Sequence, residues 1–366
     1  MLDCNIKKIN EDKIKNKFKK YVLGADIGGT NTNLCIAGVN NSKPVLLYSL
    51  NFKTQKLNSI IPAIQKTLSY SKNKYSIENI NVCCIGTAGL VKTDQKPVDL
   101  TNAKLTINSE KLKENTKIKS VTILNDFQII GFGINLLDHK NKNDIITVRK
   151  KINDHQGNKA VVGAGTGLGK TLLIHDKNFG SFIPIPSEGG HADFPAFSDI
   201  EQDIVDFVIK SGKTKKPVTY EDLLSGKGIE RIYSFLREKN KDYNSKFTEE
   251  IDDSKVKPYL ISKYRKKDEV CRKTFDLFTR FYARCAKNFV LDTMSTGGLY
   301  LAGGIAEKNP EIFEKQIFIE EFEKAYQRSD LLKKIPIYVI TNYEVSLYGA
   351  CLGAIYYTSK ENFWMT

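Results

Sequence analysis

No Cys-x-x-Cys spacing occurs among the seven cysteines, and only four histidines are present: His139, His155, His175 and His191. A zinc site of the Cys/His kind therefore finds no support in spacing. Several thiols sit inside apolar stretches, as in Val82-Cys83-Cys84-Ile85, which reads as buried, reduced thiols in a cytoplasmic protein. No run of about 18 apolar residues exists, so no bilayer-spanning helix and no membrane partner are expected. Residues 1–20 are rich in Lys, Asn and Ile without an apolar stretch, and do not read as a secretory signal.

What is there is ordinary globular composition. Of 366 residues, 41% are hydrophobic and 27% charged, which excludes a disordered, collagenous or fibrous chain. At roughly 150 residues per domain, the length suggests two domains. Lys and Arg number 56 against 42 Asp and Glu, a formal charge of +14. That surplus allows polyanionic partners. The basic residues are spread along the chain, often beside acids, as where Lys255–Lys267 follows Asp252-Asp253, and no RNA- or DNA-binding motif accompanies them, so nucleic acid is not expected.

Residues 1–20 form either a charged first helix or a frayed tail. Tyr21–Ile27 reads as a buried strand ending in an acid, followed by a Gly28-Gly29-Thr30-Asn31 turn and a returning strand over Thr32–Val39. Strands are expected over Val45–Phe52, Ile80–Ile85 and Val121–Leu124, with helices over Ser59–Ser69 and Phe127–Leu137. The pattern restarts at Lys159–Val162, a Gly-rich turn and Thr171–His175, which suggests two similar α/β halves. Helices follow over Asp199–Lys210, Tyr220–Glu238 and Asp268–Met294, and Lys239–Ser254 reads as a surface insertion or loop. A strand over Gly298–Ile305 ends in a Gly turn, and Ile335–Ile340 and Val345–Tyr357 close the chain as strand and helix.

Six segments carry chemistry. In Asp26-Ile27-Gly28-Gly29-Thr30-Asn31, glycines let backbone N–H groups approach phosphate oxygens, Thr30 adds a donor, and Asp26 can hold Mg²⁺ directly or through water. The alternative is a tight hairpin with a capping Asp. Gly165-Thr166-Gly167-Leu168-Gly169-Lys170-Thr171 resembles a P-loop, but a P-loop needs a helix next, and Leu172–His175 reads as a strand. A phosphate-cradling hairpin turn fits better. Asn125 and Asp126 sit where a strand meets a helix, suited to a sugar contact and a general base, or simply to capping the helix. Glu188-Gly189-Gly190-His191 can grip vicinal hydroxyls. Glu221, ahead of Leu224-Ser225-Gly226, could reach the same sugar or serve as a helix-start acid. Gly303 and Gly304 could pack against an adenosine, or form a plain βα turn.

Taken in order, these segments resemble the bacterial-type glucokinase family of the hexokinase-like ATPases, from about Tyr21 to the C-terminus. The resemblance implies an α/β chain with a two-domain, actin-like ATPase (ribonuclease H-like) fold and a cleft between a small and a large domain. The expected boundaries are a charged extension over 1–20, a small domain over 21–124 plus 344–366, and a large domain over 125–343. It implies a cytoplasmic ATP-dependent kinase that phosphorylates glucose at its 6-hydroxyl, the first step of glycolysis, with ATP and Mg²⁺ bound. Asp126 would be the base. Asn102, Asn125, Glu188, His191 and Glu221 would surround the sugar. Asp26, Gly28, Gly29, Thr30, Asn31, Gly165, Thr166, Gly167, Gly169, Ser225, Gly226, Gly303 and Gly304 would hold the nucleotide. The neighbouring repressor/kinase group carries a Cys-rich zinc motif after its Glu-x-Gly-His, which this chain lacks. A related hexose or amino-sugar kinase, an ADP- or polyphosphate-dependent donor, a non-catalytic sugar sensor and a homodimer all stay open at this point.

Overall fold

The computed structural model describes residues 2–14, 18–89, 91, 97–100, 104–150, 157–212, 214 and 217–363. The chain divides into two compact units. The first comprises Met1–Leu137, His175–Pro186 and Tyr343–Thr366, and the second Asp138–Ile174 and Ser187–Asn342.

The first stretch runs β1 (Asn5–Lys8), α1 (Glu11–Ile14), β2 (Lys20–Ile27), β3 (Asn31–Asn40), β4 (Lys43–Lys53), α2 (Ile61–Tyr75), β5 (Ile80–Thr87), β6 (Val98–Asp99), β7 (Thr106–Ile107), α3 (Ser109–Asn115), β8 (Ser120–Asn125) and α4 (Asp126–Ile134). β6 and β7 form a small ladder of their own. The six-stranded sheet has the order β1-β4-β3-β2-β5-β8. β2, β3 and β4 are an antiparallel meander, whose second turn places Asn41 and Ser42 at φ of 47° and 60°. Positive φ at both central turn positions matches the twist of the flanking strands. β5 and β8 then add in parallel.

Residues 1–20 differ from the expected extension. Asn5–Lys8 pairs antiparallel with Tyr48–Asn51 at the sheet edge. A short, fully exposed, lysine-bearing strand suits such an edge and lacks the apolar alternation that announces a strand.

The second stretch runs β9 (Ile145–Arg149), β10 (Lys159–Ala164), β11 (Leu168–Asp176), β12 (Ser181–Ser187), α5 (Asp199–Lys210), α6 (Tyr220–Leu223), α7 (Gly226–Lys239), α8 (Lys246–Asp252), α9 (Lys257–Tyr264), α10 (Glu269–Asp292), β13 (Gly298–Ala302), α11 (Gly303–Lys308), α12 (Gln316–Glu323), α13 (Ser329–Lys334) and β14 (Ile337–Ile340). The last helix, α14 (Val345–Phe363), belongs to the first unit. The second sheet has the order β12-β11-β10-β13-β14-β9, with β13 parallel to both β10 and β14. The central strands of the two sheets thus follow one plan, as the sequence echo suggested.

Three expectations shift. The unit boundary falls after Leu137 rather than Leu124, because α4 packs on α14 and Asn135 exchanges two 2.9 Å hydrogen bonds with the Phe182 backbone. The single helix expected over Tyr220–Glu238 is two, broken where Ser225 caps α7 through the Gly228 amide at 3.1 Å. The charged Lys239–Ser254 stretch holds a helix, α8, started by a Ser245/Thr248 capping box. Among the described residues, no helix is long and apolar enough to cross a membrane.

Each unit has its own core. In the first, Ala63 and Ile64 of α2 cover one face of the sheet, and Ile129, Phe132, Leu347 and Cys351 cover the other. In the second, α10 lays Phe275, Phe278, Phe281 and Tyr282 against the sheet and the helices around it. Arg284 on α10 is buried there, bidentate to Glu201 at 2.8 and 2.9 Å and bonded to Glu321 at 2.7 Å. It also donates to the Pro195 carbonyl at 2.9 Å, tying down the loop after His191.

Burial alone would raise the pKa of Glu201, but the Arg284 guanidinium outweighs it and holds the carboxyl below its usual value. The contribution to stability is therefore complete at neutral pH and is lost as pH falls through that depressed value. Arg284→Met should cost about 3 kcal/mol at pH 7, by leaving two buried carboxylates unpaired. In the variant, burial governs Glu201, so its acid limb of stability should invert. Thermal melts of both proteins from pH 4 to 8 check this.

Candidate active site

In the first unit, β2, β5 and β8 are parallel, and Ile27, Thr87 and Asn125 lie in register at their carboxyl ends. That edge is where open α/β sheets place ligands. It brings Asp26 and the Gly28–Thr30 turn onto the same rim as Asn125 and Asp126. The turn is clamped by Thr54, whose N–H donates to the Thr30 carbonyl at 3.0 Å and whose hydroxyl donates to the Gly28 carbonyl at 2.7 Å. Asn31 closes it: its carbonyl accepts from Gly28 N–H at 2.9 Å, and its Oδ1 accepts from Lys53 at 2.9 Å. Thr30 is exposed and Gly28 and Gly29 are half-buried. Asp26 accepts a 2.7 Å hydrogen bond from the Ser346 hydroxyl of α14, and burial pushes its carboxyl up despite that bond.

Asn125 is the N-cap of α4. Its Oδ1 accepts from Phe127 N–H at 2.8 Å, and its own N–H donates to Gln128 Oε1 at 3.1 Å. The capping role is thus filled, and the Asn125 side chain keeps its Nδ2 donors for other work. Asp126, the first residue of α4, is half-buried, with Oδ1 accepting from Phe127 N–H at 3.0 Å. The helix start fixes the direction of this carboxylate.

In the second unit, Gly165-Thr166-Gly167 is the loop of the β10–β11 hairpin, in which Gly163 opposes Gly169. Gly165 N–H donates to the Gly167 carbonyl at 2.8 Å, and the Gly165 carbonyl accepts from Gly226 N–H at 2.9 Å. Glu221 Oε2 accepts from Leu168 N–H at 2.8 Å. A Cβ on Gly167 would lie 2.5 Å from that same oxygen, so the carboxylate and the glycine fit only together. On the adjoining strand β13, Ala302 pairs with Gly163 and leads into Gly303. Gly303 adopts φ +83°, and a Cβ there would meet the Ala164 carbonyl at 2.7 Å. A Cβ on Gly165 or Gly304 would meet nothing within 4 Å, so both present bare backbone to open space.

Glu188, Gly189, Gly190 and His191 form a single 3₁₀ turn, in which Glu188 Oε2 and His191 Nε2 stand 3.9 Å apart, both side chains about 60% exposed. The turn packs beside α6, and Tyr220 N–H donates to the Ala192 carbonyl at 2.9 Å. The second unit thus gathers Glu188, His191, Glu221, Ser225, Gly226, the Gly165–Gly169 hairpin and Gly303-Gly304. Asn102 lies outside the described residues. The P-loop reading is overturned: Leu168–Asp176 is a strand, and Lys170 is buried within the unit rather than pointed at a phosphate.

Sequence reasoning missed Ser346 and Thr54. Ser346 reaches Asp26 from 320 positions away, and Thr54 lies past the end of β4. Neither stands in a pattern that a linear reading could mark.

A family model described as glucokinase matches residues 23–356. The chain belongs to the glucokinase family. The glucokinase of Nostoc sp. is 30% identical over 347 residues, covering 91% of this chain and 98% of its own. Among solved structures, the glucokinase of an Antarctic psychrotroph has a TM-score of 0.74 at 24% identity, covering 92% of this chain and 98% of that one. The glucokinase of Balamuthia mandrillaris, solved with glucose, has 0.73 at 21%, covering 92% and 93%. A ROK family glucokinase from Streptomyces griseus, solved with glucose and AMPPNP, has 0.58 at 17%, covering 91% and 99%. These matches give this glucokinase-family chain the actin-like ATPase fold.

Proposed function

We propose that this enzyme transfers the γ-phosphoryl group of ATP to the 6-hydroxyl of glucose, in the cytoplasm, as the entry step of glycolysis. One observation carries the reading. Glu221 holds the glycine hairpin through Leu168 N–H at 2.8 Å, while its neighbour Tyr220 holds the Glu188–His191 turn through the Ala192 carbonyl at 2.9 Å. A single short helix therefore ties a phosphate-type turn to a hydroxyl-gripping turn.

Glu188 and Glu221 accept sugar hydroxyls, and His191 donates or accepts beside them. Asn125 donates through Nδ2. Asp126 takes the proton of the 6-hydroxyl as its oxygen attacks the γ-phosphorus and the bond to the β-phosphate oxygen breaks. The bare backbone of Gly165 and the Gly28–Thr30 turn suit phosphate oxygens, and that of Gly304 suits the nucleoside. Positioning supplies most of the rate, because little covalent chemistry is asked of the protein.

Among the described residues, no group of three or more His, Cys, Asp or Glu could hold a metal by itself. Asp26 with the Thr30 hydroxyl offers hard oxygens in small number, which fits Mg²⁺, an ion that keeps its waters and shares phosphate oxygens. Bound there, Mg²⁺ would neutralise part of the triphosphate charge.

A panel of glucose, mannose, glucosamine and fructose against ATP, ADP and polyphosphate, with product detected directly, tests the reading. Glucose 6-phosphate from glucose and ATP is expected to dominate, and its absence would overturn the proposal. Glu188→Ala should weaken glucose binding by roughly 10- to 100-fold, the loss of a charge-assisted hydrogen bond, and leave ATP binding within about threefold. Calorimetric titrations with each ligand read both numbers.

A further inference from the structure

Lys170 follows the glycine hairpin and has no part in the reaction as described above. On β11, residues 168, 170 and 172 share one face, and Leu168 and Leu172 pack into the core of the second unit. Lys170 takes a core position between them and is 4% exposed. Its Nζ lies 5.0 Å from the centre of the Tyr220 ring and 5.4 Å from that of Phe289. It also hydrogen-bonds Cys285, whose thiol burial pushes up to about 11 against the lowering effect of the lysine. No carboxylate pairs with it among the described residues. Its stem runs under the Glu188–His191 turn: a Cβ on Gly189 would lie 3.1 Å from Cδ and 3.5 Å from Nζ.

A buried amino group held by two ring faces and a thiol is a poor choice for stability. Aromatic faces return only part of the hydration it loses. A methionine would fill the same space with no charge to desolvate. The elements that enclose the amino group are those that carry the proposed sugar ligands: the turn bearing Glu188 and His191, and helix α6, where Tyr220 precedes Glu221. We propose that Lys170 is a positioning residue of the sugar site, a buried cation that sets the spacing of the Glu188 turn against α6 and places positive potential beneath both acids. This rests on the sugar reading given under Proposed function.

The test is calorimetry on the full chain, with glucose and with Mg-ATP titrated separately, and a thermal melt alongside. In Lys170→Met, the glucose Kd should rise at least about tenfold, with the ATP Kd within about threefold and the melting midpoint unchanged or higher. A merely structural lysine would lower the midpoint and weaken both ligands together. Glucose affinity within threefold of the unmodified protein, or an equal loss for ATP, overturns the inference. Should Lys170→Met fail to fold, Phe289→Leu decides in the same way, since it removes one ring face and leaves the amino group in place. An unmodified protein that binds ATP and no glucose sinks the sugar reading together with this inference. An unmodified protein that binds glucose no better than Lys170→Met sinks the inference alone.

Discussion

Asp126→Ala is expected to bind glucose and ATP as the unmodified enzyme does and to lose at least about 10³-fold in kcat, toward the upper part of the range for a positioned general base. The fold should survive the change. Asn125, not Asp126, is the N-cap of α4, and its bonds to Phe127 N–H and Gln128 remain. What disappears is one acceptor for Phe127 N–H, a contact worth about 1 kcal/mol. Asp126→Asn separates the roles further. The amide keeps the shape and can still accept from Phe127 N–H, but it cannot take a proton at neutral pH. The two variants should therefore fall to a similar kcat, with glucose Kd unchanged in both. Single-turnover measurements read the chemical step directly. Turnover within tenfold of normal in either variant would remove Asp126 from the reaction. A matched loss in glucose affinity would make it a sugar ligand instead.

The sequence showed the segments that turn sharply at glycine and hid those that work through distant contacts. Asp26-Ile27-Gly28-Gly29-Thr30 and the Gly165–Gly169 hairpin were legible, because glycines flanked by apolar strands leave few conformations to choose from. The duplicated strand plan was legible for the same reason. Asn125 was read two ways and does fill the bland one, since its Oδ1 caps α4. Glu221 was expected at the sugar, and its bond to Leu168 N–H shows a second task that spacing along the chain does not reveal. Lys170 looked like a phosphate lysine because a linear pattern cannot tell a strand's inward face from a loop's outward one. Strand alternation after Gly169 decides it, and alternation is visible only once β11 is known to be a strand. β1 escaped because its burial pattern is exposed throughout, with no hydrophobic period to detect.

The position with the largest expected effect on stability carries no side chain. Gly349 lies in α14, where a Cβ would stand 1.6 Å from the Ile129 carbonyl oxygen and 2.6 Å from Gly133 N of α4. A Cβ on Gly133 would in turn meet the Val345 carbonyl at 2.0 Å, so the two helices touch backbone to backbone. Two terms oppose each other in Gly349→Ala. Helix propensity favours alanine by about 1 kcal/mol. Against it, the atoms met are main chain and cannot swing aside as a side-chain end would. The helices must part by roughly 1.5 Å to restore ordinary contact. That parting opens voids among Ile129, Phe132, Leu347 and Cys351, which are buried against one another. Packing should win, with a net loss of more than about 3 kcal/mol, at the upper end for overpacked cores. At about 2–4 °C per kcal/mol, the melting midpoint should fall by at least roughly 6 °C. The same shift reaches the chemistry, because α4 begins at Asp126. A carboxylate displaced by about 1 Å loses up to 10²-fold in rate. Well below its midpoint, Gly349→Ala should therefore show a lowered kcat although no group in the reaction has been altered. A midpoint within 2 °C of normal would mean that α14 slides without strain. A lowered midpoint with normal kcat would mean that α4 keeps Asp126 in place while α14 alone gives way.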